Sequence, residues 1–165
     1  MGYDHDICLE RKFARQIKAI LGCQFITQSV DHDLHNGTDF EIFIVKPFTV
    51  GVRLRRVGYY QRFKNEFTLR WSRPSKVPTE IDKVRAGLVD YILYGFVNAE
   101  ESKIVQYFIG DLAVFREHEP KPTGIFDNRP PDSQLAAYQL SSLPAAFLVK
   151  RWELPGPGLP APVHA

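Results

Sequence analysis

Between residues 39 and 71 the chain alternates apolar and polar side chains. It does so through Asp39-Phe40-Glu41-Ile42-Phe43-Ile44-Val45, then Val50-Gly51-Val52-Arg53-Leu54-Arg55, then Phe67-Thr68-Leu69-Arg70-Trp71. A period of two belongs to a strand with one buried face, because successive side chains of an extended backbone point to opposite sides. The pattern predicts three amphipathic strands whose apolar residues share one face of a sheet. Asp39, Glu41, Arg53, Arg55, Thr68 and Arg70 then share the other. Carboxylates and guanidiniums side by side suit a divalent metal next to a phosphodiester, and equally a cross-strand ladder of ion pairs.

Charge singles out the same region. The formal net charge is only +2, yet residues 46 to 85 hold eleven Lys and Arg against Glu66, Glu80 and Asp82, a local net of +8 that leaves −6 for the remainder. A basic segment richer in Arg than Lys points to a polyanion, since planar guanidiniums grip phosphate through two bonds at once. The plainer reading is that these charges solvate the outer side of a twisted sheet. Gly58-Tyr59-Tyr60-Gln61-Arg62-Phe63-Lys64-Asn65 interleaves aromatics with bases; Tyr59, Tyr60 and Phe63 either stack on nucleobases or cap a core.

At 165 residues the chain buries one good core. The expected organisation is one domain over residues 1–153 and a Pro- and Gly-rich tail over 154–165, and an apolar content of 44% excludes global disorder. Cys8 and Cys23 make no metal-ligand or CxxC spacing. The start, Met1-Gly2-Tyr3-Asp4-His5-Asp6, lacks the basic and apolar regions of a secretory signal, and Asp6 stands where a myristoylation motif has Ser or Thr. With no run near the roughly 20 apolar residues of a membrane helix, the expectation is a soluble cytoplasmic protein with no membrane partner.

Ile7, Glu10, Phe13, Ala14, Ile17, Ile20 and Leu21 recur at helical intervals, predicting a helix over 6–21 with Gly22 as its stop and a short strand over 23–26. Glu10 on that stripe either reaches into a site or pairs at its edge. The loop with Asp31, His32, Asp33 and His35 matches no specific zinc pattern. Thr79 is a natural N-cap for a second helix closed by Gly87, with Glu80 and Lys83 on one face. Residues 90–97 and 104–109 are almost continuously apolar and predict strands buried on both faces. Beyond them a short helix is expected over 111–117, a loop over 121–133, a strand over 135–140 and a short helix over 144–152.

The order of helix, amphipathic strands, helix and buried strands resembles the PD-(D/E)XK nuclease-like superfamily. The likeness rests on Glu10 in the first helix, Gly37-Thr38-Asp39, Val50-Gly51-Val52-Arg53, and the passage from Thr79-Glu80 to Asp90-Tyr91. It implies a single α/β domain with a central mixed sheet, antiparallel amphipathic strands and flanking helices, in the restriction-endonuclease manner. It also implies a magnesium-dependent deoxyribonuclease, with manganese able to substitute, in which Glu10, Asp39 and Glu41 hold the metal. Where the family has an acid-x-Lys pair this chain has Gly51 and Arg53. Arg53 stabilises phosphate charge but is too weak a base to activate water, so Glu41, or Glu80 with Lys83, must fill the gap. The catalytic candidates are thus Glu10, Asp39, Glu41, Arg53, Glu80 and Lys83. Those for holding nucleic acid are Arg55, Arg56, Arg62, Lys64, Arg70 and Arg73. The alternatives are a catalytically inactive nucleic-acid binder or a protein-interaction module on the same fold. A homodimer is among the expected states, since nucleases acting on both strands often pair.

Overall fold

The computed structural model describes residues 9–25, 27–28, 40–41, 48–56, 58–59, 63, 65–75, 77–128 and 133–153. Helix α1 (Ala14–Phe25) continues from a helical turn over residues 9–12, joined by hydrogen bonds from Phe13 N to Leu9 O (3.2 Å) and Ile17 N to Phe13 O (2.9 Å). Leu9, Phe13 and Ile17 are buried, as the helical spacing requires. Gly22 does not stop this helix. It lacks the positive φ of a glycine terminator, and one glycine costs a helix interior only about 1 kcal/mol against alanine. The strand expected over 23–26 is therefore replaced by helix up to Phe25; β1 (Thr27–Gln28) follows and pairs antiparallel with β2 (Phe40–Glu41).

The architecture is mixed α/β. A four-stranded sheet has the order β3 (Val50–Arg55), β5 (Tyr91–Val97), β6 (Ile104–Asp111), β9 (Leu148–Glu153), with β3 and β5 parallel and the other neighbours antiparallel. A second, antiparallel sheet has the order β4 (Glu66–Ser72), β8 (Gln134–Gln139), β7 (Gly124–Asp127). The amphipathic strands β3 and β4 thus belong to different sheets, not to one shared face. The physical reason lies in β5: apolar on both faces, it must be covered on both, and it takes the inner place beside β3. A parallel neighbour needs a crossover, which β4 and α2 (Glu80–Arg85) supply.

Each face of the four-stranded sheet has its own core. On one, Leu9, Phe13 and Ile17 meet Leu54, Leu93 and Val97. On the other, Ile92, Tyr94, Phe96 and Phe108 pack against Phe67 and Tyr138 of the second sheet and against Ile81, Phe115 and Phe147. The layers are therefore α1, the four-stranded sheet, then the three-stranded sheet with α2 and α3 (Leu112–His118). Helix α3 forms where expected because the Asp111 carboxylate accepts from Ala113 N and Val114 N. Helix α2 has a full capping box, Thr79 with Asp82, and Gly87 follows at φ 69°.

Two expectations near the end of the chain are corrected. The segment expected as loop, 121–133, contains β7, which pairs with β8. The helix expected over 144–152 shrinks to a 3-10 turn, Ala145–Phe147, because the residues after it pair antiparallel with β6 as strand β9, with Trp152 opposite Tyr107. The turn lowers Phe147 fully into the core against Gly110, where any Cβ would collide with its ring. The tail over 154–165 lies outside the described residues, as does the His32–His35 loop. No helix among the described residues is long and apolar enough to cross a membrane.

One polar staple fixes the start of the parallel pair. Asp90 Oδ2 accepts from Thr49 N (2.7 Å) and Thr49 Oγ1 (3.0 Å), while Asp90 N donates back to Thr49 Oγ1 (3.1 Å). These bonds hold the Asp90 carboxyl below its usual value of 3.8, and the Thr79 bonds do the same for Asp82. A carboxyl with a depressed pKa in the folded state takes up protons more readily once unfolded. Its contribution is present above the unfolded pKa and fades as pH falls through the folded one. Stability is expected to drop as pH is lowered below about 4, and Asp90→Asn is expected to shrink that drop in urea titrations run at pH 3 to 7. Glu66, which burial pushes up, acts in the opposite sense, so variant and parent are compared directly. An acid limb unchanged by Asp90→Asn would show that the staple does not store this linkage.

Candidate functional site

On β3, Val50, Val52 and Leu54 face the core beneath α1, so Gly51, Arg53 and Arg55 are turned toward the second sheet. Arg53 has a side chain only 12% exposed. Its Nη2 lies 2.7 Å from Glu80 Oε1, and its Nη1 donates to the Thr68 carbonyl at 3.3 Å. The other Glu80 oxygen accepts from the Arg70 backbone N at 2.7 Å. Arg55 donates through Nε to Tyr94 Oη (3.0 Å) and through Nη2 to Thr68 Oγ1, with its guanidinium 5.7 Å from the Tyr59 ring centroid. Burial pushes the Arg53 pKa down. Glu80 pulls it back up, while the charges of Arg55 and Arg70 add repulsion.

Between β3, β4 and α2 a cavity of about 200 Å³ opens, with Arg53, Glu80 and Lys83 on its wall and Leu69, Ile92 and Leu112 in its apolar floor. Three of the six catalytic candidates therefore line one cavity. Glu80 is the one carboxylate of this lining and pairs with Arg53, on which the charges of Arg55 and Arg70 also act. Arg70 Nε, and Arg73 Nε in the neighbouring recess with Asp82, are buried with no acceptor among the described residues. A buried donor without an acceptor costs about 1 to 3 kcal/mol.

The other candidates are placed differently. The helical segment carrying Glu10 packs on the opposite face of the four-stranded sheet, so Glu10 is separated from the Arg53–Glu80 pair by the sheet itself. Glu41 lies in β2, where its backbone pairs with Thr27; its side chain, together with Asp39, Arg62, Lys64 and Tyr60, falls outside the description. Arg56 is ion-paired with Glu101, which also has Lys12 within 3.8 Å. Arg73 donates through Nη2 to Pro78 O at 2.9 Å. Tyr59 and Phe63 form an exposed aromatic pair with centroids 6.2 Å apart. Sequence reasoning missed Tyr94, whose hydroxyl steadies Arg55. Inside the apolar run Tyr91–Val97 it reads as a core residue, and no local signal separates its hydroxyl from that role.

The described carboxylates do not fit a magnesium site. Glu80 has one oxygen on Arg53 and the other on the Arg70 amide, Glu10 lies across the sheet, and no three His, Cys, Asp or Glu among the described residues are grouped to hold an ion. Compared with protein-family models, with curated proteins and with solved structures, the chain matches none.

Proposed function

We propose that the protein binds the phosphate backbone of nucleic acid, DNA foremost, with the cationic cluster between β3, β4 and α2 as its phosphate seat. The observation that carries this reading is the mutual repulsion of Arg53, Arg55 and Arg70 around a cavity whose one lining carboxylate is Glu80, with the Arg70 Nε–H buried without an acceptor among the described residues. A phosphate accepts from such guanidiniums in charge-assisted bonds about twice as strong as neutral ones. Tyr59 and Phe63, exposed next to Arg55, offer rings on which an unpaired base stacks.

Binding is expected to fall steeply with salt and to survive chelation of divalent ions. Fluorescence anisotropy on duplex DNA, single-stranded DNA and RNA measures it. In the double variant Arg70→Ala with Arg73→Ala, checked for fold by circular dichroism, the slope of log K against log salt is expected to lose about 1 per phosphate contact removed. A folded variant with the parent's affinity and slope, or no binding by the parent at low salt, would sink the proposal.

Hydrolysis of the phosphodiester with magnesium or manganese is the second reading: Arg53 and Lys83 on one cavity would hold the phosphate, and Asp39 and Glu41, whose side chains lie outside the described residues, would hold the metal, since Glu80 is taken up by Arg53 and the Arg70 amide. It is tested by incubating DNA and RNA panels with each metal, parent beside Asp39→Ala. Metal-dependent cutting lost in the variant establishes a nuclease that uses the first amphipathic strand. Binding without cutting in both proteins leaves a nucleic-acid binder.

A further inference from the structure

A second cavity lies along another part of α2, away from Arg53. It has a volume of about 620 Å³, with Trp71, Phe115 and Tyr138 as aromatic walls and Arg85, Arg116 and Lys121 as its cations. Three features set it apart from a chance recess. First, strand β4 carries an irregularity at Trp71: Arg70 pairs with Leu135 and Ser72 with Gln134, so Trp71 is passed over by the ladder. A bulge of this kind re-aims a side chain, and bulges are over-represented beside functional sites. Second, the Arg85 guanidinium lies 4.9 Å from the Trp71 ring centroid, and its charge acts on the Tyr138 phenol. Third, Arg116 is held by two carbonyls, Val84 O at 3.3 Å and Val89 O at 3.2 Å, which orient the guanidinium.

On the lining itself three cations face one carboxylate, Glu119, an excess of two positive charges, while Asp82 and Asp90 act on Arg85 and Arg116 from outside it. The volume falls in the range of small-molecule sites, about 300 to 1,000 Å³, and exceeds what a lone phosphate fills. Aromatic walls favour a planar group, and the doubled positive charge favours a phosphate monoester, whose charge near neutral pH is close to −2. We propose that this cavity binds a nucleotide unit, its base stacked on the Trp71–Arg85 platform and its phosphate held by Arg85, Arg116 and Lys121, whether as a free mononucleotide or at the phosphorylated end of a single strand. The site goes beyond backbone binding at the Arg53 cluster, and Arg70 does not line it.

Trp71 and Trp152 are the chain's two tryptophans, so in a Trp152→Phe background Trp71 becomes the sole indole reporter. Titration with adenosine 5′-monophosphate is expected to quench its fluorescence saturably. Adenosine, inorganic phosphate and phenyl phosphate are each expected to bind at least tenfold more weakly, and a short 5′-phosphorylated oligonucleotide tells the two sources of the ligand apart. Arg85→Ala and, separately, Lys121→Ala are expected to raise the Kd about tenfold, which is about 1.4 kcal/mol; both side chains are exposed, so the fold is retained. Arg70→Ala is expected to leave the quenching intact while weakening duplex binding, which separates this site from the proposed phosphate seat. The assignment is overturned if neither nucleotide nor oligonucleotide quenches saturably. Phosphate or phenyl phosphate matching the nucleotide, or a parent-like Kd in both Arg85→Ala and Lys121→Ala, overturns it as well.

Discussion

Glu80→Ala is expected to lower the unfolding free energy by about 3 kcal/mol, the lower end of the cost of breaking a buried ion pair, and by more than Arg53→Met lowers it. The asymmetry comes from exposure. With Glu80 removed, a guanidinium whose side chain is only 12% exposed loses its counter-ion, and the Arg70 amide loses its acceptor as well. With Arg53 removed, the carboxylate left behind is 38% exposed and rehydrates. The double variant Arg53→Met with Glu80→Leu is expected to recover most of the loss, because a well-packed apolar pair commonly equals or exceeds a buried ion pair in stability. Urea unfolding of the four proteins closes the cycle, and the coupling energy is read directly from it. Arg53→Met proving as costly as Glu80→Ala would mean that both charges are equally cut off from water, contrary to their exposures.

Stability and function divide at this pair. The recovered double variant keeps the scaffold yet has lost one guanidinium of the proposed phosphate seat and the carboxylate that pairs with it. DNA binding that weakens in Arg53→Met and is not rescued by adding Glu80→Leu would show that Arg53 contributes to the ligand and not only to the fold.

How much of this was legible in the sequence depended on whether the signal was local. The Thr79 N-cap, the short helix after Asp111 and the apolar runs of β5 and β6 rest on short-range signals, and each forms where the residues predict it. Strand pairing is different. The period-two pattern of Val50–Arg55 and Glu66–Ser72 states that each strand has one buried face and says nothing of which neighbour it takes; β5 outcompetes β4 for the place beside β3 because it alone needs cover on both sides. The candidate site followed the same rule. Arg53, Glu80 and Lys83 were legible as chemistry, whereas the Glu80 bond to Arg53 depends on how the crossover places α2 against β3. The bulge that frees Trp71 left no mark at all, since Leu69-Arg70-Trp71-Ser72 alternates without interruption.

Phe67→Ala is expected to be more damaging still, at about 4 kcal/mol. The ring is completely buried and touches five others: it stacks on Tyr138 and Phe147, at 5.5 and 5.6 Å, and meets Tyr94, Phe108 and Phe115 edge-on at 5.6 to 6.1 Å. These neighbours come from both sheets, from α3 and from the turn after β8, so no single element can shift to fill the void without opening another contact. At roughly 2 to 4 °C per kcal/mol for a domain of this size, the melting temperature is expected to fall by about 10 °C, whereas Phe67→Leu, which keeps most of the volume, is expected to cost about 1 kcal/mol. The same truncation loosens β4, whose Thr68 holds Arg53 and Arg55 and whose Arg70 amide holds Glu80. Weaker DNA binding is therefore expected in Phe67→Ala well below its melting temperature, with Phe67→Leu close to the parent. A melting temperature within 2 °C of the parent in Phe67→Ala would contradict the packing of β4 onto the four-stranded sheet, and with it the geometry that gives the proposed phosphate seat its second wall.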